Sequence, residues 1–342
     1  MRLPSYKILF LTPIVKPKMQ WSMKWFSLYV LIAVLHDVVF CLAWDSQGQP
    51  IYNKSPTTSS RGTSLVIVIP AYNEEHRLPP TLRSYIGYLE KSRLSCQMEI
   101  LVVDDGSTDR TKSAISTQVS EGIPIRCISL SQNQGKGAAL ARGVQDVKRR
   151  YCIDSDANFL TDRNVLILTL DADGSGELRY IRTMLESLHA LLEDSPDHYS
   201  EEGMFALVIG NRNYDLFSLR GILRGGFQLS VWLLTSGSLR VQDSQCGYKL
   251  MTLPTADLLY QDLNLKGWSH DVEVLYRATR YGIPICEVPM DWKDKDGSKV
   301  IENGVVKVSL QMLFDVIRLR WSYMREDWEL PQRKNRHKSL EN

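Results

Sequence analysis

The sequence predicts an α/β domain with a mostly parallel central β-sheet and flanking helices. Runs of β-branched and other apolar residues, beginning with LVIVIP at 65–70, alternate with stretches that have helical periodicity. A run that is apolar at every position is typical of a strand buried on both faces of a parallel sheet. The chain has 342 residues, of which 44% are hydrophobic and 23% charged, and this globular composition excludes a disordered or collagen-like protein.

The predicted elements alternate along the chain in the order expected for strands joined by helices. We expect strands at 65–70, 99–105, 125–130, 165–173, 205–212 and 283–292, and helices at about 78–92, 108–120 and 135–150. Polar stretches at 151–163 and 193–203 are interpreted as loops. Two further stretches, 216–241 and 308–321, mix apolar and Arg residues at helical spacing, which fits either a core-facing helix or a helix lying on a membrane surface.

Segment 25–44 is predicted to be an N-terminal membrane-anchor helix that follows a basic segment, 1–24. Its twenty mostly apolar residues are long enough to span a bilayer, although His36 and Asp37 lie near its middle. A buried or interfacial helix and a cleaved signal peptide remain alternatives. A polar linker is expected at 45–63, the folded domain at 64–300, and an amphipathic helix with a basic tail at 301–342.

Charge and cysteine content exclude several classes of function. The formal net charge of +2 lacks the strong basic excess of a nucleic acid-binding domain, so no nucleic acid partner is expected. The six Cys residues are scattered without a CxxC pair, which indicates reduced thiols rather than a zinc site or a disulfide framework.

Polar motifs follow three of the predicted strands, at the sheet edge where α/β proteins bind ligands. PAYNEE at 70–75 offers the ring of Tyr72, the amide of Asn73 and the carboxylate of Glu74 to a nucleobase and its ribose. DDGSTD at 104–109 ends its strand in two acids, and Ser107 or Thr108 could cap the next helix.

The third motif, DADGS at 171–175, has the character of a metal site. Alternation along an extended strand would place Asp171 and Asp173 on the same side. Two converging carboxylates suit Mg²⁺ or Mn²⁺, which often bridge to substrate phosphates.

A fourth motif, NQGKGAALARGV at 133–144, places Lys136 between two glycines at a predicted helix start. Backbone N–H groups and the helix dipole favour an anion at such a position, although such a signal alone more often means local capping and packing. Neither a GxxxxGK loop nor a GxGxxG turn is present, so a P-loop NTPase and a dinucleotide-dependent oxidoreductase are disfavoured.

These motifs, in this order, resemble the nucleotide-sugar half of family-2 inverting glycosyltransferases with the GT-A fold. The later motifs narrow the resemblance to the eukaryotic dolichyl-phosphate β-glucosyltransferases: GNR at 210–212, VQDSQCGYKLM at 241–251, WSHDVEVLYRA at 268–278 and WKDKDGSKV at 292–300. The resemblance covers about 64–321 and implies inverting transfer of glucose from UDP-glucose to dolichyl phosphate, for lipid-linked oligosaccharide assembly and N-glycosylation. Dolichyl-phosphate mannosyltransferases, which use GDP-mannose, resemble the first half and are the alternative.

The resemblance also implies a role for individual residues. Nucleotide-sugar binding is expected at Pro70, Tyr72, Glu74, Asp104, Asp105, Lys136 and Asp171, and a divalent metal, Mg²⁺ or Mn²⁺, at Asp171, Asp173 and Ser175. The acceptor and sugar are expected near Gln245, Trp268, His270 and Lys299, and catalysis at Asp271, Arg212 and Lys249. Because the acceptor phosphate is already ionised, we expect Asp271 to position the sugar or a cation, with a base role left open. His270 is interpreted as a packing or hydrogen-bonding side chain.

Membrane lipid is a further expected partner, and the oligomeric state is not predicted. The resemblance implies the endoplasmic reticulum membrane, with the catalytic domain facing the cytosol. Basic residues precede segment 25–44, so the positive-inside rule predicts the opposite orientation, and we prefer the chemistry. A binding protein that has lost catalysis and a soluble sugar transferase are the other functions weighed.

Overall fold

The computed structural model describes residues 62–118, 120, 122–151, 165–194, 199–200, 203–212, 219–235, 241–292 and 305–331. Segments 1–24 and 25–44, and nearly all of the predicted linker at 45–63, lie outside these ranges, so the predicted domain boundaries stay predictions. Among the described residues, no helix combines the length and apolar character needed to cross a membrane.

Strands and helices alternate through the first part of the described chain, up to residue 194. The strands are β1 (Ser64–Ala71), β2 (Gln97–Asp104), β3 (Ile125–Ser129), β4 (Val165–Thr169), β5 (Tyr199–Ser200), β6 (Gly203–Met204), β7 (Leu207–Arg212), β8 (Lys249–Thr252) and β9 (Ile285–Met290). The helices are α1 (Leu78–Lys91), α2 (Thr111–Ser116), α3 (Lys136–Tyr151), α4 (Ile181–Asp194), α5 (Leu219–Leu234), α6 (Leu253–Tyr260), α7 (His270–Arg280) and α8 (Val305–Met324).

Seven of the strands form one sheet in the order β3-β2-β1-β4-β8-β7-β9. The β3-β2-β1-β4 half is parallel, and β7 is parallel to β9. Strand β8 runs antiparallel to both of its neighbours, β4 and β7. The predicted α/β class with a mostly parallel sheet is therefore confirmed.

The alternation of β1 divides the core between the two faces of the sheet. Val66 and Val68 face a cluster that includes α3, α6 and α7, whereas Leu65, Ile67 and Ile69 face α1 and α4. All five side chains are fully buried, as the apolar run predicts. Helix α3 approaches closely because it carries Gly143, where a Cβ atom would lie 2.5 Å from Cγ1 of Val68.

Several elements differ from the sequence prediction. Helices α4, α6 and α7 were not predicted, and neither was the strand pair β5–β6, which lies at the predicted loop 193–203. Three further differences bear on the site. The strand predicted at 165–173 ends at Thr169, so the DADGS motif lies in the turn that follows. The helix predicted at 108–120 is the short α2, and its N-cap, Arg110, makes no side-chain capping bond. Ser107 and Thr108 do not cap it because their side chains bond to Asn73 in the neighbouring loop. Strand β8, only four residues long, was not predicted.

A buried ion pair joins helices α6, α7 and α8. Arg277 and Glu273 are both fully buried on α7, with Arg277 Nη2 2.7 Å from Glu273 Oε1. Arg277 also donates to backbone carbonyls that follow α6, including that of Asp262 at 2.9 Å. The hydroxyl of Tyr323 on α8 donates to Glu273 Oε1 at 3.2 Å. The pair therefore holds α7 against the end of α6 and against α8.

We expect Arg277→Met to lower the free energy of unfolding by about 3–5 kcal/mol, because it leaves the Glu273 carboxylate buried without its cation. Urea denaturation measures the change. Arg280→Met, at the exposed end of the same helix, is the matched control and should stay within about 0.5 kcal/mol of the wild type. Equal stability of the two variants would contradict the role of this pair.

Candidate active site

Strand register brings the predicted motifs to one edge of the sheet. Ala71 at the end of β1 is paired with Asp104 at the end of β2. Because β8 is antiparallel, its first residue, Lys249, is paired with Thr169, the last residue of β4. The QCGYK motif thus reaches the edge from which the acidic motifs project, and this is the edge where α/β sheets bind ligands.

The loops that follow β1 and β2 are joined by hydrogen bonds. Asn73 has a positive φ of 53°, a conformation that Asn tolerates, and its N–H donates to Ser107 Oγ at 3.0 Å. The N–H of Thr108 donates to Asn73 Oδ1 at 2.8 Å, and that of Glu74 to Thr111 Oγ1 at 2.7 Å. The Asn73 amide is therefore used within the protein, while the ring of Tyr72 stays exposed.

Arg77, which the sequence analysis missed, connects the first loop with the DADGS turn. Its Nε donates to Glu74 Oε2 at 2.7 Å, and its Nη1 lies 4.0 Å from Asp173 Oδ2. The spacing Glu-x-x-Arg was the available signal, since side chains three apart in a helical turn are neighbours. Glu74, predicted to bind the nucleotide sugar, is buried and paired with this guanidinium.

Asp171 and Asp173 lie in a turn rather than on a strand, so strand alternation does not bring them together. Gly174 closes the turn with φ +73°, and a Cβ atom there would lie 2.7 Å from Thr81 Oγ1. The N–H of Ser175, a buried residue, donates to Asp173 Oδ1 at 3.0 Å. Burial raises the pKa of the Tyr85 hydroxyl, and the negative charges of Asp171 and Asp173 raise it further. Both carboxylates are therefore close enough to act on this hydroxyl.

The chemistry of this turn fits a divalent metal shared with a phosphate ligand. Each of the two carboxylates is about a quarter exposed and offers hard oxygen atoms. Within the described residues, no group of three or more His, Cys, Asp or Glu side chains could hold a metal ion. The pair therefore suits Mg²⁺ or Mn²⁺ that takes its remaining ligands from water and a bound diphosphate.

Lys136 brings a cation to this turn. Its Nζ lies 2.5 Å from Asp171 Oδ1 and 5.8 Å from the ring centroid of Trp268. Burial lowers the pKa of Lys136, but the nearby carboxylates of Asp171 and Asp271 outweigh this, so the net shift is upward. The side chain is therefore charged and directed at the predicted metal pair.

The backbone around Lys136 is held by the protein itself. The carboxylate of Asp105 accepts the N–H groups of Gln134 and Gly135, both at 2.8 Å. The carbonyl of Lys266 accepts the N–H of Gly137 at 2.8 Å. Of the two interpretations of this helix start, the structure favours local capping, because these N–H groups already have acceptors.

A buried charge cluster lies at the start of α7. Lys249 is 1% exposed, and its Nζ forms an ion pair with Asp271 and donates to the Cys246 carbonyl. His270 is fully buried, with Nδ1 2.9 Å from the Gly267 carbonyl and Nε2 3.2 Å from Asp271 Oδ1. Burial raises the pKa of Asp271, but His270 and Lys249 hold it well below its usual range. A carboxylate held ionised in this way is a weak proton acceptor.

Arg212 and Gln245 contact other segments of the chain. Arg212 donates to Asp243 through Nε at 2.7 Å and Nη2 at 3.0 Å, and its Cζ is 5.1 Å from the Trp292 ring centroid. Gln245 Nε2 lies 3.7 Å from Met312 Sδ on α8. Lys299 lies outside the described residues.

The structure therefore brings most predicted residues to one edge. Asp171, Lys136, Asp271 and Lys249 form a connected set in which each charge lies near an opposite one. Sequence reasoning missed Arg77, Tyr85, Asp243 and Trp292. For Asp243 and Trp292 no pattern in the sequence indicated the contact, since their partner Arg212 is distant in sequence.

Part of the chain matches a known protein family. Residues 66–194 match the family described as glycosyl transferase family 2. Together with the mostly parallel sheet and flanking helices, this match confirms the predicted GT-A fold.

Similar sequences carry one enzyme name. A dolichyl-phosphate beta-glucosyltransferase of Dictyostelium discoideum is 33% identical over 293 residues, covering 82% of this chain and 80% of its own. That of Homo sapiens is 31% identical over 282 residues, covering 78% of both chains. A solved glucosyl-3-phosphoglycerate synthase from Mycobacterium tuberculosis in complex with uridine-diphosphate is 17% identical, with a TM-score of 0.49, covering 74% of this chain and 80% of its own.

We expect Asp271→Asn to lower the free energy of unfolding by about 3 kcal/mol at pH 7, because Lys249 stays buried without its carboxylate. The folded-state pKa of Asp271 is lowered, so its stabilisation is present above the unfolded pKa of about 3.9 and is lost as pH falls further. The difference between wild type and variant in urea denaturation should therefore narrow below about pH 4.

Asp262→Asn provides the matched control for this experiment. Asp262 is exposed and has a positive φ of 47°, which Asn tolerates, so its substitution should change stability by less than about 0.5 kcal/mol. A difference for Asp271→Asn that stays constant from pH 7 to pH 3 would contradict the coupling of Asp271 to Lys249.

Proposed function

The chain belongs to the dolichyl-phosphate β-glucosyltransferase family, and on this premise we propose that it transfers glucose from UDP-glucose to dolichyl phosphate with inversion. The product is dolichyl β-D-glucosyl phosphate, which serves lipid-linked oligosaccharide assembly and N-glycosylation. The observation that carries the proposal is the DADGS turn with Lys136 beside it, at the sheet edge where a nucleotide diphosphate would bind. The mannosyl alternative is not favoured, since the similar sequences are named for glucosyl transfer.

The loops after β1 and β2 and the DADGS turn form the proposed binding site for UDP-glucose. The exposed ring of Tyr72 lies beside the base, and Pro70, Glu74 and Asp104 shape the loops that surround the uridine. Asp171 and Asp173, with Ser175 behind them, would hold Mg²⁺ or Mn²⁺, which when bound supplies positive charge to the leaving diphosphate. Lys136 adds a side-chain cation to the same anion, and Trp268 offers a ring face to the sugar.

The acceptor side needs no strong base. The second pKa of a phosphate monoester is about 6, so the attacking oxygen is already largely ionised at neutral pH. Lys249 is buried and committed to Asp271, and this pair keeps Asp271 charged and in place beside the sugar. Arg212, which is 15% exposed, is the better placed of the two predicted cations to meet the acceptor phosphate. Gln245 lies on the same side, next to α8.

We expect Asp173→Asn to lower kcat/KM for glucose transfer at least about 100-fold, because it removes a charge needed for leaving-group stabilisation. Transfer of labelled glucose from UDP-glucose to dolichyl phosphate with Mn²⁺ measures it, with the product recovered in organic solvent. Asp262→Asn is the matched control and should retain activity. Transfer from GDP-mannose alone, or from neither donor, would overturn the proposal.

We further propose that the protein works at the endoplasmic reticulum membrane with this domain on the cytosolic side. A lipid acceptor supports a membrane location, and the use of UDP-glucose implied by the family resemblance supports the cytosolic side. Membrane lipid would then contact the protein, and it would also dissolve the dolichyl phosphate acceptor.

Helix α8 supplies the surface for that contact. Its inner side is buried through Val308, Val316 and Leu319. Its outer side carries Leu310, Phe314, Trp321 and Met324, which are between 51% and 67% exposed. Their spacing places them on one stripe of the helix, and basic residues run along a flank of the stripe, at Lys307, Arg318 and Arg325. An apolar stripe with a basic flank fits the surface of an anionic bilayer.

We expect the double variant Phe314→Ser, Trp321→Ser to raise KM for dolichyl phosphate in vesicles at least about tenfold, because it removes apolar area buried in lipid. KM for a short, water-soluble isoprenyl phosphate should change less than about threefold. Gln311→Ser, at an exposed polar position of the same helix, is the matched control. Equal effects on both acceptors would contradict a docking role.

A further inference from the structure

Each carboxylate of the proposed metal pair already has a side-chain cation beside it. Lys136 Nζ lies 2.5 Å from Asp171 Oδ1, and Arg77 Nη1 lies 4.0 Å from Asp173 Oδ2. The two interactions are unequal, because the Arg77 guanidinium bonds closely to Glu74 and only approaches Asp173. Asp173 is therefore the less committed carboxylate, and Asp171 is the one held by a cation.

Space around the Asp171 carboxylate is limited. A Cβ atom at Gly247 would lie 2.8 Å from both Oδ1 and Oδ2 of Asp171, so the backbone of the QCGYK segment covers one side. Lys136 occupies another side. Mg²⁺ binds carboxylate oxygen at about 2.0–2.1 Å, so a divalent metal on Oδ1 would lie close to the Lys136 ammonium at its present position. Like charges repel, and they repel more strongly at a partly buried site than in water.

The backbone at Lys136 is held in place, whereas its side chain can move. The turn that carries it is held by the Asp105 carboxylate on one side and by the Lys266 carbonyl on the other. The side chain itself is a flexible four-carbon stem with a compact charge, which can change partners without backbone movement. A diphosphate placed beside Asp171 would offer it a new anionic partner.

We propose that Lys136 controls the order of binding at this site: it occupies Asp171 until a nucleoside diphosphate draws it away, so that metal and nucleotide bind cooperatively. The inference rests on the proposed function for the presence of a metal and a diphosphate. It assigns Lys136 a second task beyond contact with the donor. Charge balance supports it, since the charges of the diphosphate and of the divalent metal offset each other when the two arrive together.

The test is the affinity of the full-length protein for Mn²⁺, measured from the electron paramagnetic resonance signal of free Mn²⁺, with and without UDP and corrected for Mn²⁺ bound to free UDP. In the wild type, UDP should tighten Mn²⁺ binding at least about tenfold, a typical coupling between two sites. In Lys136→Met, Mn²⁺ should bind about tenfold more tightly than in the wild type without UDP. UDP should tighten it further by a clearly smaller factor than in the wild type, because direct contact between the diphosphate and the metal remains.

Two further variants make the result specific. Lys136→Arg keeps a cation at the turn and should retain the weak binding of Mn²⁺ without UDP. Lys148→Met is the matched control, since Lys148 lies on the same helix and forms an ion pair with Asp257 at 2.6 Å, away from the turn. It should bind Mn²⁺ as the wild type does. Thermal unfolding of each variant shows that it is folded.

The outcomes separate this proposal from the proposed function. If Lys136→Met binds Mn²⁺ no more tightly than the wild type without UDP, while Asp173→Asn loses Mn²⁺, only the role of Lys136 is overturned. If the wild type binds no Mn²⁺ even with UDP, the metal and the cooperative binding are overturned together. Because neither glucose nor dolichyl phosphate enters the measurement, a wrong assignment of donor sugar or acceptor would leave its result unchanged.

Discussion

The site depends on the antiparallel pairing of β8 with β4. A parallel β8 would carry Lys249 to the opposite edge of the sheet, away from the turns that hold the acids. The observed pairing sets Lys249 beside Thr169 and so delivers a cation from the second half of the chain to the acidic edge built by the first half. Asp271 then has a partner, and the glycine of the QCGYK segment leaves room for Asp171.

Charge neutralisation is shared between segments that are distant in sequence. Asp171 is paired through Lys136 on α3, and Asp271 at the start of α7 is paired through Lys249 on β8. A buried charge without a partner is costly, so each of these elements has a preferred position only when the others are present. The site is consequently part of what holds the two halves of the sheet together, and its geometry exists before substrate binds.

How much the sequence could predict depended on whether the interaction was local. The apolar run of β1 can be recognised without knowing its partners, and the strand predicted at 65–70 differs from the observed Ser64–Ala71 by one residue at each end. The acids at 171 and 173 were found, but their strand was extended too far, because its pairing with β1 and β8 already stops at Thr169. For the N–H groups beside Lys136, the sequence could not decide between capping and anion binding, because their acceptors, Asp105 and Lys266, are distant in sequence. Strand β8 is too short for a periodic pattern.

Helix α8 lies between the candidate active site and the proposed membrane surface. The helix meets Gln245 through Met312, and Ser269 Oγ donates to Asp315 on it at 2.7 Å, while its apolar stripe faces outward. With that stripe on a bilayer, the side of α8 that contacts Gln245 and Ser269 would lie roughly one helix diameter, about 10 Å, above the lipid. The enzyme would then select its acceptor by how high a phosphate stands above the membrane, and the length of the hydrocarbon tail below would matter little.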